Sequence, residues 1–217
     1  MDLTGKIAAV AGGTGGIGMA SAIAMSKLGA SIVLIARNEE KLAKTIPVLD
    51  SSKNQQHQYL VADFSDSASL DVLCESISKL KIDILLNNTG GPAGGPITDA
   101  KPEEFLNTFN QHLIANHKIT QAVLTKMKEQ PYGRIINVIS TSVKAPLNGL
   151  GVSNTIRGAV ANWAKTMANE LGQFNITVNN VLPGATNTGR LNEIFEAKSK
   201  KTGKSIADIK KGMESIV

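Results

Sequence analysis

An α/β fold, with a doubly wound parallel sheet of six strands and helices on both faces, is what this sequence predicts. Three observations carry that expectation. Short apolar, β-branched runs recur six times, and stretches of helical spacing separate them. The first strand-to-helix turn is the glycine string Gly12-Gly13-Thr14-Gly15-Gly16-Ile17-Gly18. Alternation of this kind builds crossover units, whose strands run parallel and are covered on both sides.

The first strand is read over 7–11, an apolar run free of charge, and the glycine string ends it. A helical pattern follows over 17–28. Ile32-Val33-Leu34-Ile35-Ala36 reads as the second strand and 39–49 as the second helix. The third strand is expected over 57–61 and its helix over 68–80, with Leu70, Leu73 and Ile77 on one face. The fourth strand, 82–87, precedes a long helix over 102–128. The fifth, 135–139, precedes a helix over 153–171, and 176–182 closes the series. No repeat, low-complexity stretch or linker interrupts the rhythm, so 1–217 reads as one domain with a sizeable core.

Composition narrows the function classes. Hydrophobic residues make up 42% and charged residues 19%, as in an ordinary globular protein. A single cysteine, Cys74, excludes an intramolecular disulfide, and its apolar neighbours suggest a packed thiol. There is no leader pattern and no apolar run of about 20 residues, so a cytoplasmic protein without membrane contact is expected. The net charge of +5 is uneven, with six lysines between Lys198 and Lys211. They read either as a solvated face or as a docking patch for an acidic partner. With aromatic content of 4%, nucleic acid is not expected as a partner.

In a sheet of this class, ligands bind beyond the carboxyl ends of the strands. After the first strand, a glycine turn lets the backbone approach a pyrophosphate, which the following helix N-terminus attracts. Gly12, Thr14, Gly16, Ile17 and Gly18 are the candidates. After the second strand, Ala36 stands where an acid would hold the ribose 2′-hydroxyl of NAD, and Arg37 offers a cation. That pair favours NADP(H), with NAD(H) the weaker alternative; Arg37 otherwise only caps the strand. After the third strand, Asp63 is suited to an adenine amino group or, alternatively, to capping the next helix. After the fourth comes Asn87-Asn88-Thr89-Gly90, then the loop Gly91-Pro92-Ala93-Gly94-Gly95-Pro96.

With these motifs in order, the chain resembles the short-chain dehydrogenase/reductase family along nearly its whole length, nearest to 3-oxoacyl-(acyl-carrier-protein) reductases. Ala11 to Gly18 match the family's Thr-Gly-x-x-x-Gly-x-Gly, with Ala11 in the threonine place. Asn87 to Gly90, with Asn88 and Gly90 as cofactor contacts, match Asn-Asn-Ala-Gly. Pro183, Gly184 and Thr188 match the segment that holds the nicotinamide carboxamide. The resemblance implies a Rossmann-type sheet and reduction of a carbonyl by hydride transfer. The substrate it implies is a small molecule or a carrier-bound 3-oxoacyl thioester. It also implies a catalytic serine, tyrosine, lysine and asparagine. Counting along the chain, the serine is Ser140, but the tyrosine place falls on Ser153, the lysine place on Arg157 and the asparagine place on His112. The other tyrosines, Tyr59 and Tyr132, lie outside the expected site loops. Ser153 is a poor acid at neutral pH, Arg157 suits a developing alkoxide, and His112 or Lys144 is a candidate proton donor, the alternative being that His112 is a satisfied helix histidine and Lys144 a surface loop charge. These changes leave a second reading open, a catalytically inert NADP(H)-binding sensor or scaffold.

The resemblance further implies a homodimer through the helices over 102–128 and 153–171, with alanines for close packing. The family's seventh strand has no counterpart before Val217, which puts a tetramer in doubt. The segment 185–217 is expected to act as a lid. No metal is expected, since His112 and His117 diverge around one helix and no cysteine or carboxylate cluster completes a coordination shell.

Overall fold

The computed structural model describes residues 1–214; the side chains of Arg190, Glu193, Ala197, Lys198, Lys201 and 212–214 lie outside the described residues. Two of the six C-terminal lysines are therefore not placed. The chain divides into two compact units, Met1–Pro183 and the segment from Gly184 onward.

The first unit holds the expected sheet. Its strands are β1 (Ile7–Ala11), β2 (Ser31–Ala36), β3 (Gln58–Val61), β4 (Ile84–Asn87), β5 (Gly133–Val138) and β6 (Ile176–Val181). They lie in the order β3-β2-β1-β4-β5-β6, every pair parallel. The order reverses between β1 and β4, so a crevice opens there at the carboxyl ends of the strands. The helices of this unit are α1 (Gly16–Lys27), α2 (Glu39–Thr45), α3 (Ser67–Ser78), α4 (Pro102–Phe109), α5 (Ala115–Glu129) and α6 (Gly151–Leu171).

Period-two alternation along the strands sorts the core into two layers. Ala9, Val33, Ile35, Leu85 and Ile135 pack with residues of α3, α5 and α6, including Ile77, Ile119, Met127 and Ala164. Ala8, Val10, Ile32, Leu34 and Ile84 face the other way, with Ala22 of α1 and Leu42 of α2. Cys74 packs at the edge of the first layer, and burial pushes its thiol pKa up.

Three expectations change at element ends. The helix expected over 39–49 stops at Thr45 and continues as a 3-10 turn, Ile46–Val48, where Pro47 lacks an N–H for the helical ladder. The helix over 102–128 is two helices joined by a π-helical turn, Asn110–Ile114, which carries His112. α3 is capped by Asp66, whose carboxylate accepts from the Ala68 N–H at 3.0 Å. The capping role left open for Asp63 thus belongs to Asp66, three residues on.

The second unit contains α7 (Gly189–Thr202) and α8 (Ile206–Glu214), which pack on each other with Phe195 and Ile209 buried. Among the described residues, no helix is long and apolar enough to cross a membrane.

Candidate functional site

The β1–α1 turn is built around contacts a side chain would block. Gly12 has φ +62°, a left-handed conformation that favours glycine. A Cβ on Gly12 would lie 2.5 Å from the Asn88 carbonyl oxygen, and one on Gly18 would lie 2.3 Å from that of Gly12. The Gly12 N–H donates to the Ile35 carbonyl at 2.9 Å, and Asn88 Nδ2 donates to the Ala11 carbonyl at 3.3 Å. β1, β2 and β4 are thereby drawn together under the turn. α1 starts after Gly15 with no side-chain cap and no acid in its first turn. Its first N–H groups and the positive end of its dipole are left for an anion.

A cleft of about 470 Å³ opens beside this turn. Gly12, Thr14, Arg37, Asp63, Asn88 and Gly90 of the expected cofactor set line it together. Arg37, 75% exposed at its side chain, stands 3.9 Å from the Asp63 carboxylate. Burial pushes the Asp63 pKa up, but the Ser65 hydroxyl and N–H, with Arg37, together hold it below the ordinary value. Lys41 also lines the cleft and was not among the residues expected from the sequence. Asn38 caps α2 by accepting from the Lys41 N–H at 2.8 Å, which places that lysine one turn beyond Arg37. A cation three residues after a capping Asn, just past Ala36-Arg37, is the signal that could have found it.

A second constellation gathers behind Thr89. α6 begins at Gly151, with Ser153 in its first turn and Arg157 one turn later on the same face. Arg157 is 9% exposed; its Nη1 donates to the Val138 carbonyl at 2.8 Å and its Nη2 to that of Thr89 at 3.4 Å. His112, fully buried, shares a hydrogen bond between Nδ1 and the Thr89 hydroxyl, while its Nε2 has no partner. Burial and then the Arg157 charge push the His112 pKa down to about 3, with a smaller opposing pull from the Gly90 backbone. Burial also lowers the Arg157 pKa, to about 10. The ring is therefore neutral at ordinary pH, and the imidazolium acid expected from a histidine is not available there. Ser140, at the end of β5, accepts from the Ser142 N–H at 3.1 Å.

Beside this constellation runs a ladder of three asparagines in register across β4, β5 and β6. Asn87 Nδ2 donates to Asn137 Oδ1 at 2.9 Å, and Asn137 Nδ2 to Asn180 Oδ1 at 3.1 Å. Sequence periodicity gave no hint of it, because the three residues lie on three strands far apart in the chain and only the sheet register aligns them.

The remaining expected residues fall elsewhere. The Pro183 carbonyl accepts from the Thr141 N–H at 3.2 Å, tying the end of β6 to the loop after β5. Gly184 and Thr188 belong to the second unit, where Thr188 caps α7 by accepting from the Leu191 N–H. Tyr132 sits between Lys6 and Arg134 at the amino end of β5, and Tyr59 donates to Glu39 at 3.3 Å. Lys144 is exposed. His57 bonds the Ile32 N–H and the Asp50 carbonyl, while His117 meets Trp163, so the three histidines are dispersed. Among the described residues, no group of three or more His, Cys, Asp or Glu could hold a metal.

Comparison with known proteins adds an independent line. The family model for short chain dehydrogenases matches residues 6–199. The chain is 30% identical over 205 residues to the 3-oxoacyl-(acyl-carrier-protein) reductase FabG of Pseudomonas aeruginosa, covering 91% of this chain and 81% of that one. Among solved structures it is similar to L-sorbose reductase of Gluconobacter frateurii complexed with NADPH and L-sorbose. That likeness has a TM-score of 0.87 at 26% identity, over 96% of this chain and 80% of the other. An NAD+-bound xylitol dehydrogenase is also similar, with a TM-score of 0.83 at 27% identity, over 92% and 78%.

Proposed function

The chain belongs to the short-chain dehydrogenase/reductase family, whose homologues are NAD(P)-dependent oxidoreductases, and from that premise we propose that it is an NADP(H)-dependent reductase of a carbonyl compound. The cleft lining carries this reading. Arg37 and Lys41 bring two cations beyond a β2 end where Ala36 leaves no acid to hold a ribose hydroxyl. The site fits the dinucleotide, since α1 starts uncapped with no acid in its first turn, and the packing of Gly12 and Gly18 on Asn88 holds that start beside the cleft.

Gly12, Thr14, Gly16, Ile17 and Gly18 would then hold the pyrophosphate at the start of α1. Arg37 and Lys41 would hold the 2′-phosphate, Asp63 the adenine, and Asn88 and Gly90 the ribose side. Pro183, Gly184 and Thr188 would take the nicotinamide end, as the family resemblance implies. When bound, NADPH supplies the hydride. Ser140 would orient the carbonyl oxygen and Arg157 would stabilise the negative charge that develops on it. Ser153 stands in the tyrosine place, and a hydroxyl of its ordinary pKa is no acid at pH 7. His112 would act through its neutral ring, fixing Thr89. The proton then comes from water. The likeness to FabG extends the proposal to carrier-bound 3-oxoacyl thioesters. A homodimer through α4, α5 and α6 and a cytoplasmic setting complete it, with the segment from 185 onward as a lid.

Two experiments test the reading. NADPH should bind about tenfold or more tighter than NADH, the contribution of one good charge-assisted contact. Arg37→Ala and Lys41→Ala should each erode that preference while leaving NADH affinity unchanged in calorimetric titration. Equal affinity for both cofactors in the wild type would overturn the assignment. The second is the pH profile. With His112 near 3 and Arg157 near 10, neither changes charge between about pH 4 and about pH 9. kcat/KM for NADPH-dependent reduction should be flat from pH 5.5 to pH 8.5 (about three decades of proton concentration). A bell centred near pH 7 would restore an ionising acid. NADPH binding without turnover of any carbonyl would leave the sensor reading in its place.

A further inference from the structure

Among the described residues, no acidic side chain pairs with the charge on Arg157. Its guanidinium is almost wholly buried, it holds two backbone carbonyls, and none of the ion pairs among the described residues includes it. Its immediate partners supply no negative charge. Thr89 and Val138 give only carbonyl dipoles, and His112 beside it is neutral. A buried cation is costly to hold unless it is paired. Two of its five N–H donors are used, and three have no partner among the described residues. Close by, the fully buried His112 Nε2 is a further polar atom left without a partner.

Resting on the reductase reading above, we propose that the substrate is itself an anion, an oxo acid whose carboxylate pairs with Arg157 while its carbonyl is reduced. Thr89 lines the cleft, and its carbonyl receives Arg157 Nη2, which ties the guanidinium to a lining residue of the cleft. Its planar fork matches a carboxylate in two parallel hydrogen bonds, a geometry a point charge does not offer. An alkoxide alone would compensate the charge only while the reaction passes through it. A carboxylate compensates it throughout the bound state. The overall step is NADPH plus oxo-acid anion plus one proton from water, giving NADP+ and the hydroxy-acid anion. The hydride goes to the carbonyl carbon and the proton to its oxygen.

The experiment compares each of three oxo acids, 2-oxobutanoate, 3-oxobutanoate and 4-oxopentanoate, with its own methyl ester. Carbon skeleton and ketone are then constant, and only the charge changes. For the best skeleton, kcat/KM for the acid should exceed that for the ester by about tenfold or more, as expected of one charge-assisted contact. The ratio should fall to near one in Arg157→Met and to an intermediate value in Arg157→Lys, which keeps charge without the fork. Should Arg157→Met fail to fold, the wild-type ratio and the lysine variant decide. Esters reduced as well as acids by the wild type, or a ratio that survives Arg157→Met, would overturn the proposal and leave the reductase reading standing. If no compound is reduced, calorimetry of the NADP+-loaded protein decides. Binding of the acids but not the esters, weakened in Arg157→Lys and abolished in Arg157→Met, upholds the anion site without the reaction. Absence of acid binding overturns it.

Discussion

Between pH 7 and pH 4 the folded chain is expected to lose about 3 kcal/mol of stability through His112 alone. The folded-state pKa of this ring is about 3, against 6.5 for the free side chain. Between those values the unfolded chain takes up a proton that the native state refuses, so stability falls as pH falls. The contribution is fully present above pH 6.5 and is lost progressively down to about pH 3, at about 1.4 kcal/mol per unit. Burial is the main cause and Arg157 the second, so the ring is neutral because lost hydration and a neighbouring positive charge both disfavour its cation. Carboxylates titrate over the same range, and a variant separates them. His112→Asn keeps a polar partner for the Thr89 hydroxyl and has no ring to protonate. Urea unfolding at pH 7, 6, 5 and 4 should give a shallower loss in His112→Asn, by about 3 kcal/mol over the interval. Parallel curves for the two proteins would show that His112 is accessible enough to protonate in place.

A second large effect is expected at Gly12, with its neighbour Gly15 as the control. Gly12→Ala places a Cβ 2.5 Å from a backbone carbonyl in a left-handed conformation. The conformation costs on the order of 1–2 kcal/mol. The clash must be relieved by moving the turn away from Asn88, which misaligns the start of α1. Loss of two charge-assisted contacts to the cofactor corresponds to about a hundredfold or more in NADPH affinity. The melting temperature should also drop by roughly 2–8 °C. Gly15→Ala differs in kind. Its φ is −173°, ordinary extended backbone, and a Cβ there meets nothing within 4 Å. That variant should keep its melting temperature and bind NADPH within a few fold of wild type. Equal losses in the two variants would mean that chain flexibility, rather than the close approach to Asn88, is what the motif supplies.

The sheet was legible because its signal is local. β1, β2 and β4 are short apolar runs, and a run of that kind buried on both faces leaves the parallel sheet as its home. The strand ends were legible for the same reason, and Gly12, Arg37, Asp63, Asn88 and Ser140 follow the carboxyl ends of β1 to β5. The π-helical turn at Asn110–Ile114 was not, since the stretch 102–128 keeps a helical pattern across it. Nor was the choice between Asp63 and Asp66 as cap of α3, because both are short acids ahead of one helix and only backbone geometry separates them.

From the sequence alone came the family resemblance, the glycine turn, the missing acid at Ala36, and serine and arginine standing in the tyrosine and lysine places. These are matters of residue identity and spacing, and folding does not alter them. Only the tertiary structure decided what those residues can do. Arg157 meets Thr89 across 68 positions of chain, and His112 meets the same residue across 23. Their charge states follow from how much water each is denied and which charge stands next to it, and both depend on elements remote in sequence. Residue type makes His112 an acid near neutral pH, while its burial beside a guanidinium makes it a neutral ring. Lys41 enters the cleft for a similar reason: a capping asparagine starts α2 where it does, and that start aims one lysine at the site.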